Sequence, residues 1–266
     1  MTDGVGPTPG AVRDLIRAIL TGDSMTALWG VADRGLPVPV HSVDVALLAL
    51  PRAESFDRHA IVISALIHDM GKLGGTSERG LSHSALMRQQ PREPTRIAMD
   101  ALATAELDAS VTLPVETRRH IEHIVISHHG RYGLVQPETA EARLVAECDE
   151  LSATRHRLCP IDANDILPLL VEGYSWVGAA RVLKVSRELI KKRLADALAV
   201  TGARDWSNLV PLWRRDGAVP IGPPEFAARI RWIKTVRRLA IRPADELASI
   251  LLGDGVPASI AVESRA

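Results

Sequence analysis

One dipeptide, His68-Asp69, constrains this chain more than anything else in it. It closes the run Ile61-Val62-Ile63-Ser64-Ala65-Leu66-Ile67, which is almost wholly apolar. Helical spacing puts Ile61, Ala65 and His68 on one stripe, so the imidazole points inward with the aliphatic side chains. A buried imidazole beside a buried carboxylate is costly unless a partner satisfies both, and a divalent cation does so. Three other segments repeat the arrangement. His41 heads a stripe continued by Val45 and Leu48; His128 closes one made by Ile121, Ile124 and Val125; Asp149 closes one made by Ala142, Val145 and Ala146. A single polar residue so placed is ordinarily a hydrogen-bonded core residue. Four helices doing so at once, with His83 and the doublet His128-His129 adding imidazoles, point to a shared metal centre.

The pattern excludes a β architecture. Alternating apolar and polar runs of any length are absent, whereas helix-period runs recur, so the expected fold class is all-α. Helices are expected over Ala11–Leu20, Thr95–Leu107 and Glu116–Ser127. Pro91–Pro94 and Leu113-Pro114 separate the middle ones, Gly30–Val40 is a proline-punctuated connector, and Gly130–Glu138 is a loop placed where a substrate lip would be. No internal repeat is visible.

Zero net charge over 266 residues conceals an asymmetry. Residues 1–172 carry 16 Lys and Arg against 23 Asp and Glu, residues 173–242 carry 15 against 5, and residues 243–266 carry 1 against 4. All nine histidines fall between His41 and His156, away from the basic stretch. The expected organisation is a disordered tail over 1–10, a metal domain over 11–160 and a basic helical region over 161–266. No window approaches a membrane span. No charged-then-apolar leader opens the sequence, and the cytoplasm is the expected compartment. Cys148 and Cys159 form no CxxC pair, which fits a reducing compartment and excludes a zinc ribbon. Cys148 adjoins Asp149 but differs in helical phase, as expected of a small buried thiol.

The order of these groups resembles the HD superfamily of metal-dependent phosphohydrolases, whose ligands run His, then His-Asp, then a distant Asp. They match His41, the pair His68-Asp69 within His68-Asp69-Met70-Gly71-Lys72, and Asp149, over roughly residues 35–155. Branches of that superfamily that hold two metals add a histidine and then a histidine pair, found here as Ser82-His83-Ser84 and Ser127-His128-His129-Gly130. The resemblance implies an HD-domain helical bundle. It further implies that His41, His68, Asp69 and Asp149 hold one ion, while Asp69 bridges to a second held by His83, His128 and His129. Nitrogen and oxygen ligation suits manganese, iron, nickel, cobalt or zinc.

Two such ions activate water and clamp a phosphoryl oxygen, which is phosphoester hydrolysis. Asp69 and Lys72 are then the expected catalytic groups, with the Lys72 ammonium on a non-bridging oxygen; a solvated helix-end lysine is the alternative. Arg131 and Tyr132, just past the histidine pair, are candidates to touch substrate. The stretch from Ser127 to Asp149 is similar to the HD domains of bacterial 3′→5′ exoribonucleases and, in its His-His-Gly, of CRISPR HD nucleases. Forty residues precede His41, too few for the OB-fold barrel of those exoribonucleases. His129 is followed by Gly-Arg-Tyr-Gly, unlike the HD-GYP signature.

The basic region has a motif of its own. Gly178–Leu194, within a helix-turn-helix expected at about 175–198, resembles Fis-like DNA-binding proteins. Ala179 and Ala180 allow close helix crossing, Ser186 caps a second helix, and Leu189, Ile190 and Leu194 bury its inner side. Arg187, Lys191 and Lys192 are left to meet nucleic acid. Lys184 stands where glycine is usual and has to accept a left-handed backbone. Phe226–Arg242 reads as a second basic amphipathic helix. The expected function is hydrolysis of a phosphodiester in a nucleotide or nucleic acid, the C-terminal region holding DNA or RNA. Alternatives are a DNA-binding regulator with a nucleotide-sensing HD domain and a di-iron HD oxygenase.

Overall fold

The computed structural model describes residues 7–33, 36–75, 81–155 and 160–253. The described chain is helical apart from one two-stranded antiparallel hairpin, Ala32–Asp33 with Leu36–Pro37. It divides into two compact units, residues 1–157 with 236–265, and residues 158–235.

In the first unit the helices run α1 Pro9–Thr21, α2 Asp23–Leu28, α3 Val38–Ala49, α4 Arg58–Ile67, α5 His83–Gln89, α6 Arg92–Asp108, α7 Val115–Ser127 and α8 Ala140–Arg155. Residues 1–6 of the expected tail lie outside the described residues. Pro9 and Gly10 already belong to α1, because the Thr8 hydroxyl accepts from Ala11 N–H and proline suits the first helical position. Likewise α6 starts at Arg92, ahead of the expected Thr95, since a proline at position 94 is tolerated in a first turn.

Every residue of α3, and every residue of α4 from Ala60 to Ile67, is buried. Helices apolar all round have no solvent face to offer, and here they form the centre of the unit. Helix α3 packs on α4 and α8, and α7 packs on α4 and α8, so four helices surround the polar cluster. Helix α4 stops at Ile67. A 3-10 segment takes over at Met70–Gly74 and packs against α6.

The second unit holds α9 Ala163–Val171, α10 Trp176–Val182, α11 Arg187–Thr201 and α12 Trp206–Asp216, followed by α13 Pro224–Ala240, within which the division between units falls. Its core is built from Ile166, Leu167, Ala179, Ile190, Leu194 and Leu209, with Trp176, Trp206 and Trp213 partly buried against them. Ser175 and Ser186 cap α10 and α11 through Gly178 N–H and Leu189 N–H. Lys184, between them, takes φ 54°, the left-handed backbone its place requires.

The C-terminal helix α14, Ala244–Leu252, groups with the first unit and not with the basic region as expected. Its apolar face, with Leu247, Ala248 and Leu251 buried, packs against α1 and α4. No described helix is long and apolar enough to cross a membrane. Cys159 lies outside the described residues.

Candidate metal centre

Five structural elements deliver one cluster. His41 comes from α3, His68 and Asp69 from the end of α4, His83 from the first position of α5, His128 and His129 from the end of α7, and Asp149 from α8. His41, His68, Asp69, His83 and His128 are buried, whereas His129 and Asp149 are half-buried and face the outside of the cluster. The imidazoles form a chain: ring centroids are 5.2 Å apart for His41 and His68, 4.9 Å for His68 and His128, and 4.6 Å for His128 and His129, with His83 5.7 Å from His129.

Asp69 stands at the centre and its two oxygens face different sets. Oδ2 lies 3.6 Å from His41 Nε2 and 3.5 Å from His68 Nε2, while Oδ1 lies 3.3 Å from His83 Nε2 and 3.9 Å from His128 Nε2. Asp149 Oδ1 completes the first set, 2.8 Å from His41 Nε2 and 3.8 Å from His68 Nε2. Ligand atoms of His41, His68 and Asp149, and separately of His83, His128 and His129, lie within 4.8 Å of one another.

On His41, His68 and His128 the ring nitrogen facing away from the cluster is anchored. His68 Nδ1 donates to the Ala65 carbonyl at 2.8 Å and His128 Nδ1 to the Val125 carbonyl at 2.6 Å, leaving each Nε2 with a lone pair. The Ser152 hydroxyl donates to Asp44 Oδ2 at 2.7 Å, so its oxygen accepts from His41 Nδ1 at 2.9 Å, which places a proton on that nitrogen. His128 Nε2 and both nitrogens of His83 are buried without hydrogen-bond partners. His83 Nε2 and His128 Nε2 converge with carboxylate oxygens, which fits divalent transition ions whose binding satisfies both nitrogens.

The electrostatics agree. Burial pushes the His68, His128 and His129 pKa values down, His129 to about 4, and neighbouring imidazoles add to the effect, so these rings are neutral and able to ligate. Burial opposes ionisation of Asp69, but the adjacent Lys72 ammonium, foremost among its neighbours, holds its carboxyl well below the usual range. His41 is raised: burial works against its charge, but the hydrogen bond to Asp149 and the nearby carboxylates outweigh it.

Lys72 reaches Asp69 instead of open space. One 3-10 turn brings residues i and i+3 into line, and Lys72 Nζ sits 2.5 Å from Asp69 Oδ2. Arg131 and Tyr132 line a cleft of about 620 Å³ beside His128, His129 and Asp149, with the guanidinium 4.8 Å over the phenol ring. In the second unit Arg187 and Lys192 are exposed on α11, and Lys191 pairs with Glu188 at 3.1 Å. Buried Cys148, whose thiol burial pushes up to about 11, accepts from Arg52 and stays outside the ligand set.

Residue types alone did not single out Asp44, Ser152, Arg88 or Arg143. A signal existed for the first two: each follows a ligand of its own helix, His41 or Asp149, by three residues and so shares its side of the helix. Outside the cluster, His123 Nε2 accepts from Glu138 N–H at 3.1 Å, and His120 Nε2 lies 3.6 Å from Glu141.

A family model described as HD domain matches residues 40–154. Neither a curated protein nor a solved structure matches the chain. The matched segment begins just before His41 and ends just past Asp149, enclosing every gathered ligand. A match to this family indicates a metal-dependent phosphohydrolase in general, and it spans residues 40–154 of this chain.

Proposed function

We propose that this protein hydrolyses a phosphodiester bond in a nucleotide or nucleic acid with two divalent transition ions, manganese, iron, nickel, cobalt or zinc. The observation that carries this reading is the division of Asp69, with Oδ2 toward His41 and His68 and Oδ1 toward His83 and His128. The chemistry such a pair of ions supplies is a lowered pKa for water and a clamp on phosphoryl oxygens. Water adds across the P–O bond, leaving a phosphomonoester and an alcohol. Lys72 offsets the charge of Asp69 and keeps a cation at the edge of the site. Arg131 and Tyr132 position substrate from the cleft wall. Arg187, Lys191 and Lys192 hold DNA or RNA, a role supported by the two serine-capped helices and the left-handed turn at Lys184.

The test is hydrolysis of bis-p-nitrophenyl phosphate and of labelled single-stranded RNA and DNA, metal-free and with manganese, beside Asp69→Ala. Metal-dependent turnover that disappears in the variant supports the reading, and the polymer preference names the substrate. Silence on all three substrates, with DNA binding that survives Asp69→Ala, would instead make the protein a binding regulator. The His83→Ala/His128→Ala double variant is expected to lose one equivalent of bound metal. Unchanged metal content and activity there would remove the second ion from the reading.

A further inference from the structure

The cleft beside the cluster has more uncompensated positive charge than its lining suggests. Arg88, Arg131 and Arg143 face it, as do Glu147, Asp149 and Glu150. The three acids are engaged. Glu150 accepts from Arg131 at 3.0 Å, Glu147 pairs with Arg52, which stands outside the lining, and Asp149 belongs to the ligand cluster through His41. Arg143 donates to the Glu138 carbonyl oxygen at 2.9 Å, a neutral acceptor. Arg88, exposed at the end of α5, has no carboxylate within ion-pair distance among the described residues. Two guanidiniums from two different helices, α5 and α8, thus line one cleft without a counter-charge.

Two further properties narrow what could fill it. Tyr132 is 55 % exposed, a large aromatic surface left open at the cleft wall and backed by Arg131. The volume, about 620 Å³, falls within the roughly 300–1,000 Å³ typical of small-ligand sites and exceeds what a lone phosphate needs. Guanidinium forks match phosphate oxygens, and an exposed aromatic ring accepts any base by stacking.

We infer that the cleft is a subsite for a second phosphate next to the scissile one, held by Arg88 and Arg143, with a base stacked on Tyr132. The preferred substrate is then a short nucleotide chain bearing a terminal phosphate, not an isolated diester. This inference rests on the phosphodiesterase reading above and names the substrate class for it.

The experiment compares the dinucleotides ApA and pApA, which differ by one terminal phosphate, in hydrolysis by the manganese-loaded full chain. The native protein is expected to favour pApA in kcat/KM by about tenfold or more, the scale of one charge-assisted contact. The Arg88→Ala/Arg143→Ala double variant should bring that ratio close to one, acting on KM and not kcat. Arg88→Lys should keep part of the preference, since an ammonium retains the charge without the fork. Tyr132→Ala should weaken both dinucleotides alike. A native ratio of one, or a preference that survives the double variant, overturns the subsite. If no diester is hydrolysed at all, the phosphodiesterase reading is what has failed. Equilibrium binding of the same two dinucleotides then decides the subsite: tighter pApA binding that depends on Arg88 and Arg143 keeps it, and equal or absent binding removes it.

Discussion

Gly71 is pressed against Pro94: a Cβ built on Gly71 would stand 2.4 Å from Pro94 Cβ and 2.9 Å from its carbonyl oxygen. The backbone of the 3-10 segment carrying Asp69 to Lys72 can approach α6 this closely because residue 71 has no side chain. Gly71→Ala is therefore expected to destabilise the protein by about 1–3 kcal/mol, the range for overpacking a tight contact. It should also displace Asp69 and Lys72, so metal affinity should fall together with the urea midpoint. A variant with native stability and native metal binding would show that the contact relaxes freely.

Ser152 acts on the centre through His41. Its hydroxyl sits between His41 Nδ1 and Asp44 Oδ2, wholly buried, and touches no other ligand of the cluster in the described contacts. Ser152→Ala should cut metal affinity roughly tenfold or more, within the range found for partners of ligating histidines. Calorimetric titration with manganese reads this directly. A loss of folding stability with metal affinity intact would assign Ser152 to the core alone.

Lys184 holds a left-handed backbone at φ 54° on a residue with a side chain. Such a conformation costs about 1 kcal/mol that glycine does not pay. Lys184→Gly should raise the stability of the second unit by about that amount. Tryptophan fluorescence during urea unfolding is a suitable reporter, since Trp176, Trp206 and Trp213 pack on that unit's core. An unchanged or lower midpoint would mean that the turn is not strained.

Lys234 links alkaline pH to the same unit. Its ammonium lies 2.6 Å from both Asp162 and Asp165, the pair that forms the capping box of α9. Burial lowers its pKa, but the two hydrogen bonds and the two negative charges outweigh it, and the net shift is upward. A raised folded pKa means that the folded state holds the proton more tightly than the unfolded one. Its stabilisation is complete below about pH 10.5 and lost as the pH climbs through the folded value. The urea midpoint should fall more steeply above pH 10.5 in the native protein than in Lys234→Met. Lys234→Met itself should unfold more readily at pH 7, by about 1–2 kcal/mol, because buried Asp162 loses a partner. Parallel alkaline curves for the two proteins would reject the linkage.

Much of the centre was legible in the sequence because helical phase is a local property. Spacings of three, four and seven residues told which side of its helix each of His41, His68, His128 and Asp149 occupies, and the apolar neighbours told that this side is inside. The all-α class followed from the same periodicity, and the serine cap at 186 and the awkward Lys184 from turn chemistry alone. What pairs across distance was not legible. Nothing local announces that Ser152 meets Asp44, 108 residues away, that Gly71 lies on Pro94, or that α14 returns to α1. Nor does spacing say which oxygen of Asp69 faces which imidazoles, or that Arg88 and Arg143 share a cleft while the acids beside them are already paired. The sequence by itself determined which residues are buried and polar at once, since amphipathic phase is written in a few consecutive residues. Tertiary structure alone decided how those residues meet, because contacts between helices depend on packing that no single helix contains.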